Sequence, residues 1–280
     1  MLHRSPARKR FRHLIGLGEA ELPLAEAALS ISWEDQGGPE PQEALQQLDQ
    51  IAAGARSRLA ELEAPGQLVE ALNQYLFAEL GFHGNQHHYS DPANSYLDRV
   101  LATRTGLPIT LSVLYLEVGW RLGLPLAGVA LPGHFLVCYR GPQEEIFVDP
   151  YHGGRLWSRE ECEHQVTAAY GEAAPQVMAQ VLAPPAKRTI LLRMLRNLKS
   201  SYIEREAFPL ALTVADRILL IVPSDPQELR DRGVLRGRLG QVHQALNDLE
   251  RYVQLAPNAS DISALRKYAL ALTMQVMRAN

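Results

Sequence analysis

Apolar residues recur at three- and four-residue spacing through most of the chain. A two-residue alternation, the mark of strands, stands out only near the middle. Residues 20–80 read as three helices. EAELPLAEAALSISWED is the first and stops at the Gly37-Gly38-Pro39 break. QEALQQLDQIAAGARSRLAEL is the second, with Ala44, Leu48, Ile51, Ala52 and Ala55 at helical spacing, and Pro65-Gly66 turns into a third, QLVEALNQYLFAEL. Residues 81–94 are polar and rich in Gly and His, and NSYLDRVLATRTG makes a short helix after them.

From Pro108 to Leu122 the apolar positions cover nearly the whole helical circumference, so this helix is expected to be buried. Pro108 suits its first turn, and Gly123 and Pro125 stop it. An apolar connection ends at Gly133, and two strands, HFLVCY and EEIFVD, flank a turn near residues 141–143. If paired residue numbers sum to 283 or 285, His134 and Asp149 project from the same face; if the sum is 284 they point apart. A carboxylate beside an imidazole fixes its tautomer and supports a general base. The same pair also serves as a satisfied core contact that orders the hairpin.

The pieces Gly106-Leu107-Pro108, Gly123-Leu124-Pro125, His134 and Asp149, with the strings GLPITLSVLYLEV, LPGHFLV and FVDPYHGGRLWSREEC, resemble the transglutaminase-like, papain-related superfamily. The resemblance is to the bacterial SirB-type branch, whose domain also occurs in some eukaryotic F-box proteins. It implies an α+β N-terminal domain with a helical cover. Active members carry a Cys nucleophile at the start of the buried helix, and by spacing that position falls on Pro108, which has no nucleophile.

The substitutes are few. Cys138 lies four residues along a strand from His134, roughly 13 Å at ~3.3 Å per residue. Cys162 falls in the later polar segment SREECEHQ, and Thr110 is rotated away from the site. Ser112 lies one turn beyond Pro108 on the same face, and a Ser-His-Asp set is chemically sensible, although a hydroxyl in an apolar helix commonly bonds back to a carbonyl. His152 and Arg155 follow closely enough to line a pocket around His134, or to be ordinary loop residues.

The loop histidines His83, His87 and His88 with Asp91 have metal-ligand chemistry, but Gly81, Gly84 and Pro92 oppose the helix that would align them. No metal or cofactor is expected. The chain has 280 residues, a formal net charge of -3 and two Cys without disulfide or metal spacing. Neither a nucleic-acid nor a membrane partner is indicated, and the absence of an apolar leader predicts a cytoplasmic setting. MLHRSPARKRFRH is expected to be a solvated basic tail within residues 1–19.

Residues 171–187 lose periodicity and carry Pro175 and Pro184-Pro185, so a boundary is expected there, between a transglutaminase-like domain over 20–182 and an all-α domain over 187–280. In the latter, Ala211-Leu212 recurs as Ala245-Leu246 and Leu219 to Pro223 recurs as Val253 to Pro257, a period of 34 that identifies tetratricopeptide repeats. The expected function is a protein- or peptide-binding, regulatory module without the family nucleophile. The alternative is an amide hydrolase or acyl transferase using His134 and Asp149 with Ser112 or water.

Overall fold

The computed structural model describes residues 5–37 and 40–279, and the chain divides into two compact units, Met1–Met194 and Leu195–Asn280. The Gly38-Pro39 part of the expected break and the first four residues of the basic run lie outside the described residues.

The first unit opens with α1 (Pro6–Ile15), where a solvated tail was expected. Ser5 caps it, its hydroxyl accepting the Arg8 N–H at 3.0 Å. Ala7, Phe11 and Leu14 form a buried stripe, and Arg8 is buried against Glu34 at 2.7 Å. The apolar positions between the basic ones therefore override the charge pattern. Then come α2 (Leu24–Gln36), α3 (Gln42–Leu59) and α4 (Pro65–Asn73), which continues as a π-helical stretch, Gln74–Glu79. Strand β1 (His83–Gly84), a 3-10 turn at Pro92–Ser95, α5 (Leu97–Thr103) and β2 (Thr105–Gly106) follow, β1 and β2 pairing in parallel.

The buried helix is α6 (Pro108–Arg121), as its all-round apolar pattern requires. Beyond it lie β3 (Leu126–Val129), β4 (Leu136–Arg140), β5 (Glu145–Asp149) and β6 (Arg155–Trp157), an antiparallel sheet in that order. The sheet has two more strands than alternation revealed: β3 lies in the apolar connection, β6 in the loop after Asp149. One sheet face, with Leu136, Cys138 and Phe147, packs on α7 (Arg159–Tyr170) and α8 (Ala174–Leu182) through Cys162, Val166, Ala174 and Leu182. On the other face Leu126 sits so close to Gly119 of α6 that a Cβ there would come within 2.1 Å of it. Because α8 contributes to this core, residues 171–187 are not the linker their composition suggested. The division between the two units falls within α9 (Lys187–Glu204).

The second unit continues with α10 (Phe208–Ile221), α11 (Pro226–Arg238), α12 (Val242–Leu255) and α13 (Ile262–Ala279). Both ends of α12 fall 34 residues after those of α10, and α11 ends 34 residues after α9. Ala211 and Ala245 are both fully buried, and Gly233 lets Leu249 approach to 2.9 Å of where a Cβ would stand. These are the small residues that close helix crossings require.

Candidate functional site

The β4–β5 register fixes the site. Val137 pairs with Val148 and Cys138 with Phe147, a sum of 285, so His134 falls one diagonal from Asp149 on the same side. Their side chains meet: His134 Nε2 lies 2.8 Å from Asp149 Oδ2. Asp149 is fully buried, and His134 retains 12% of its side-chain exposure.

A second imidazole joins them. His152 Nδ1 lies 2.7 Å from the same Oδ2, while Oδ1 accepts the backbone N–H groups of Tyr151 and His152 at 3.1 and 3.2 Å. This geometry follows from the sequence Asp-Pro-Tyr-His-Gly-Gly: Asp149 caps the 3-10 turn Pro150–His152, and Gly153 and Gly154 take left-handed conformations, φ 67° and 81°. The chain there turns back, with Gly154 N–H donating to the Asp149 carbonyl at 2.9 Å. Burial alone would push the Asp149 carboxyl up, but the hydrogen bonds from His134 and His152, and their charges, hold it below the usual carboxylate value.

Aromatic rings frame the pair. Trp157, placed by the Phe147–Trp157 pairing of β5 and β6, stacks on His134 with centroids 5.9 Å apart, and Tyr151 meets His134 edge-on at 6.3 Å. Tyr151 is anchored through its hydroxyl to the Asn85 carbonyl at 2.9 Å. Its ring and carbonyl cover Gly84, where a Cβ would approach them to 2.5–2.6 Å. The end of α4 and the π-helical stretch support the turn from the other side: Asn73 donates its amide to the Gly154 carbonyl at 2.9 Å, and Phe77 packs on Gly154 and stacks on Tyr115.

Among the nucleophile candidates, Pro108 is the first residue of α6, buried. Ser112 is fully buried and donates its hydroxyl to the Phe135 carbonyl at 3.3 Å; no hydrogen bond joins it to His134 among the described residues. Cys138 and Cys162 are both buried on the α7 side of the sheet, where burial pushes their thiols up to about 11 and about 12. The structure thus joins His134 to Asp149 and engages Ser112 with the carbonyl of Phe135, the residue after His134.

The loop histidines do not assemble with Asp91. His83 is engaged at Nδ1 by the Gly81 carbonyl and at Nε2 by Thr105, and Asp91 caps the Pro92–Ser95 turn. His83 and His87 instead line a surface cavity of about 520 Å³ together with Tyr151 and His152. Arg155, for which pocket lining and an ordinary loop position were both open, is exposed and pairs with Glu161 at 2.5 Å. Sequence reasoning did not assign Trp157 or the bond from His152 to Asp149. The Asp-Pro turn followed by two glycines was the available signal for the latter.

The profile of the transglutaminase-like superfamily matches residues 42–196, and a tetratricopeptide repeat profile matches residues 198–269. A UPF0162 protein of Xylella fastidiosa (strain Temecula1) is 43% identical over 220 residues, covering 78% of this chain and 78% of the relative. Protein SirB1 of Salmonella typhimurium is 28% identical over 215 residues, covering 75% and 78%. F-box only protein 21 of Pongo abelii is 29% identical over 214 residues, which make up 72% of this chain and 33% of that protein.

Proposed function

The chain belongs to the transglutaminase-like superfamily, in its UPF0162 and SirB1 branch, and from that premise we propose that it is a non-catalytic, protein-binding regulatory module. The observation that carries this reading is that, among the described residues, none of the nucleophile candidates is bonded to the His–Asp pair. Pro108 begins the helix, the Ser112 hydroxyl is spent on the Phe135 carbonyl, and both thiols are buried and protonated. Without a nucleophile, the imidazole has nothing to activate for covalent acyl transfer.

The binding surface in this reading is the repeat domain. Between α12 and α13 lies a groove of about 470 Å³ whose lining includes Leu246, Val253, Leu265 and Ala269, with Glu250 and Arg266 supplying charge. An apolar floor with charges beside it suits an amphipathic peptide segment, and repeat proteins present such surfaces. No helix among the described residues is long and apolar enough to cross a membrane.

The test is selection of a displayed peptide library on the full-length protein, with Ala269→Glu as the comparison. Enriched peptides should bind the wild type and lose at least about tenfold in affinity to the variant, as for a peptide seated on an apolar anchor point. Enrichment of nothing, or of peptides that bind both proteins equally, would refute the groove.

A second reading has its own support. His134 Nδ1 carries no hydrogen bond among the described residues, so the ring held by Asp149 has a nitrogen left to activate water in an amide hydrolase.

A further inference from the structure

Asp149 Oδ2 faces two imidazole nitrogens at once, His134 Nε2 at 2.8 Å and His152 Nδ1 at 2.7 Å. These three ligand atoms lie within 4.8 Å of one another, and no other such cluster of His, Cys, Asp or Glu occurs among the described residues. Two imidazoles and one carboxylate are the donor set that borderline divalent ions favour. We propose that His134, Asp149 and His152 form a binding site for a divalent transition-metal ion of the zinc type.

The site is organised in advance. The two backbone N–H groups on Oδ1 stop the carboxylate from rotating, which keeps Oδ2 turned toward both rings. His134 is held between Trp157 and Tyr151. His134 Nδ1 and His152 Nε2 carry no hydrogen bond among the described residues, so each ring is able to keep its proton on the outer nitrogen and present a lone pair inward.

The dimensions require a small adjustment. Donors around a tetrahedral zinc ion stand roughly 3.3 Å apart, so each nitrogen must withdraw from Oδ2 by about 0.5 Å while the two nitrogens, within 4.8 Å of each other, settle to the same spacing. His152 is the ligand able to move, because its side chain is 47% exposed and it ends a three-residue turn just before Gly153. With Asp149 fully buried and His134 only partly exposed, the coordination position left by three protein donors opens on the solvent side of His152, the arrangement of sites that keep an exchangeable ligand.

Zinc titration of the untagged full-length protein after chelator treatment tests this by calorimetry, with cobalt absorption reporting the ligand field. His152→Ala, on a half-exposed ring, is the primary variant. His134→Ala is the second, with circular dichroism confirming that each is folded. The loop histidines form the competing surface site, so a His83→Ala/His87→Ala double variant is measured beside them. A single equivalent should bind the wild type and the loop variant alike, with proton release. The affinity should fall at least about 100-fold in His152→Ala, beyond what loss of an outer-shell partner costs. Absence of binding at submillimolar zinc, or binding that survives His152→Ala, would overturn the proposal. So would loss of binding in the loop variant alone.

Discussion

At Asp149, burial and hydrogen bonding oppose each other, and the bonds win. A carboxyl whose folded value is depressed stabilises the protein above its unfolded value, ordinarily 3.8, and that contribution is lost as pH falls through the folded value. Asp149→Asn should therefore cost about 2–3 kcal/mol near neutrality, the range for losing hydrogen bonds to a charged group. The deficit should shrink below about pH 4, as the wild type loses its own advantage. Urea unfolding of both proteins across pH 3–7 checks this, and a deficit constant with pH would contradict it. The His134–Asp149 contact was legible in the sequence as the outcome of two of three registers, because only the turn and strand pleat decide it. The fate of Ser112 was not, since a buried hydroxyl's partner depends on which strand carbonyl the fold brings above it. Nor was the second imidazole, because His152 reaches Asp149 through the 3-10 turn rather than through the sheet.

Among the elements, the turn after β5 is the one the site depends on most. Gly154 combines φ 81° with contacts that a Cβ would make at 2.6 Å to Asn73 and 2.8 Å to Phe77. Gly154→Ala should cost about 2–3 kcal/mol through backbone strain and overpacking, read as a lower denaturation midpoint. It should also loosen His152 from Asp149, seen as a change in the His152 ring shifts by NMR. An unchanged midpoint would show that the turn adapts freely. The long amphipathic helices were legible because their periodicity persists over several turns. Strand β3 was not: Leu126-Ala-Gly-Val is too short and too uniformly apolar to show alternation. The π-helical stretch was read as ordinary α-helix, because nothing in its apolar spacing marks the wider turn. In α1 the charges concealed a buried stripe, and in α8 two flanking proline signals concealed a helix.

For the molecule as a whole, both family parts are present, the transglutaminase-like domain and the tetratricopeptide repeats. The period of 34 was readable from two matched segments, and the helix bounds repeat it. Placement of the repeat groove required coordinates, because its lining alternates between two helices that a sequence does not align. Charge across α10, α11 and α12 is neutralised locally: Arg232 and Arg236 both bridge Asp216 and Asp248, at 2.7–3.2 Å. Because these groups are largely buried, Asp248→Ala should destabilise the protein by about 3 kcal/mol, leaving two guanidinium groups short of a partner, and thermal unfolding would read the loss. The central claim, that the protein binds through its repeat domain while its transglutaminase-like domain does not catalyse, is tested most directly by turnover. Wild type and folded His134→Ala protein are compared on a broad panel of peptides, amides and esters. The account predicts equal, background rates for both. A wild-type rate exceeding the variant by about 10²–10⁴, the usual contribution of a general base, would contradict it.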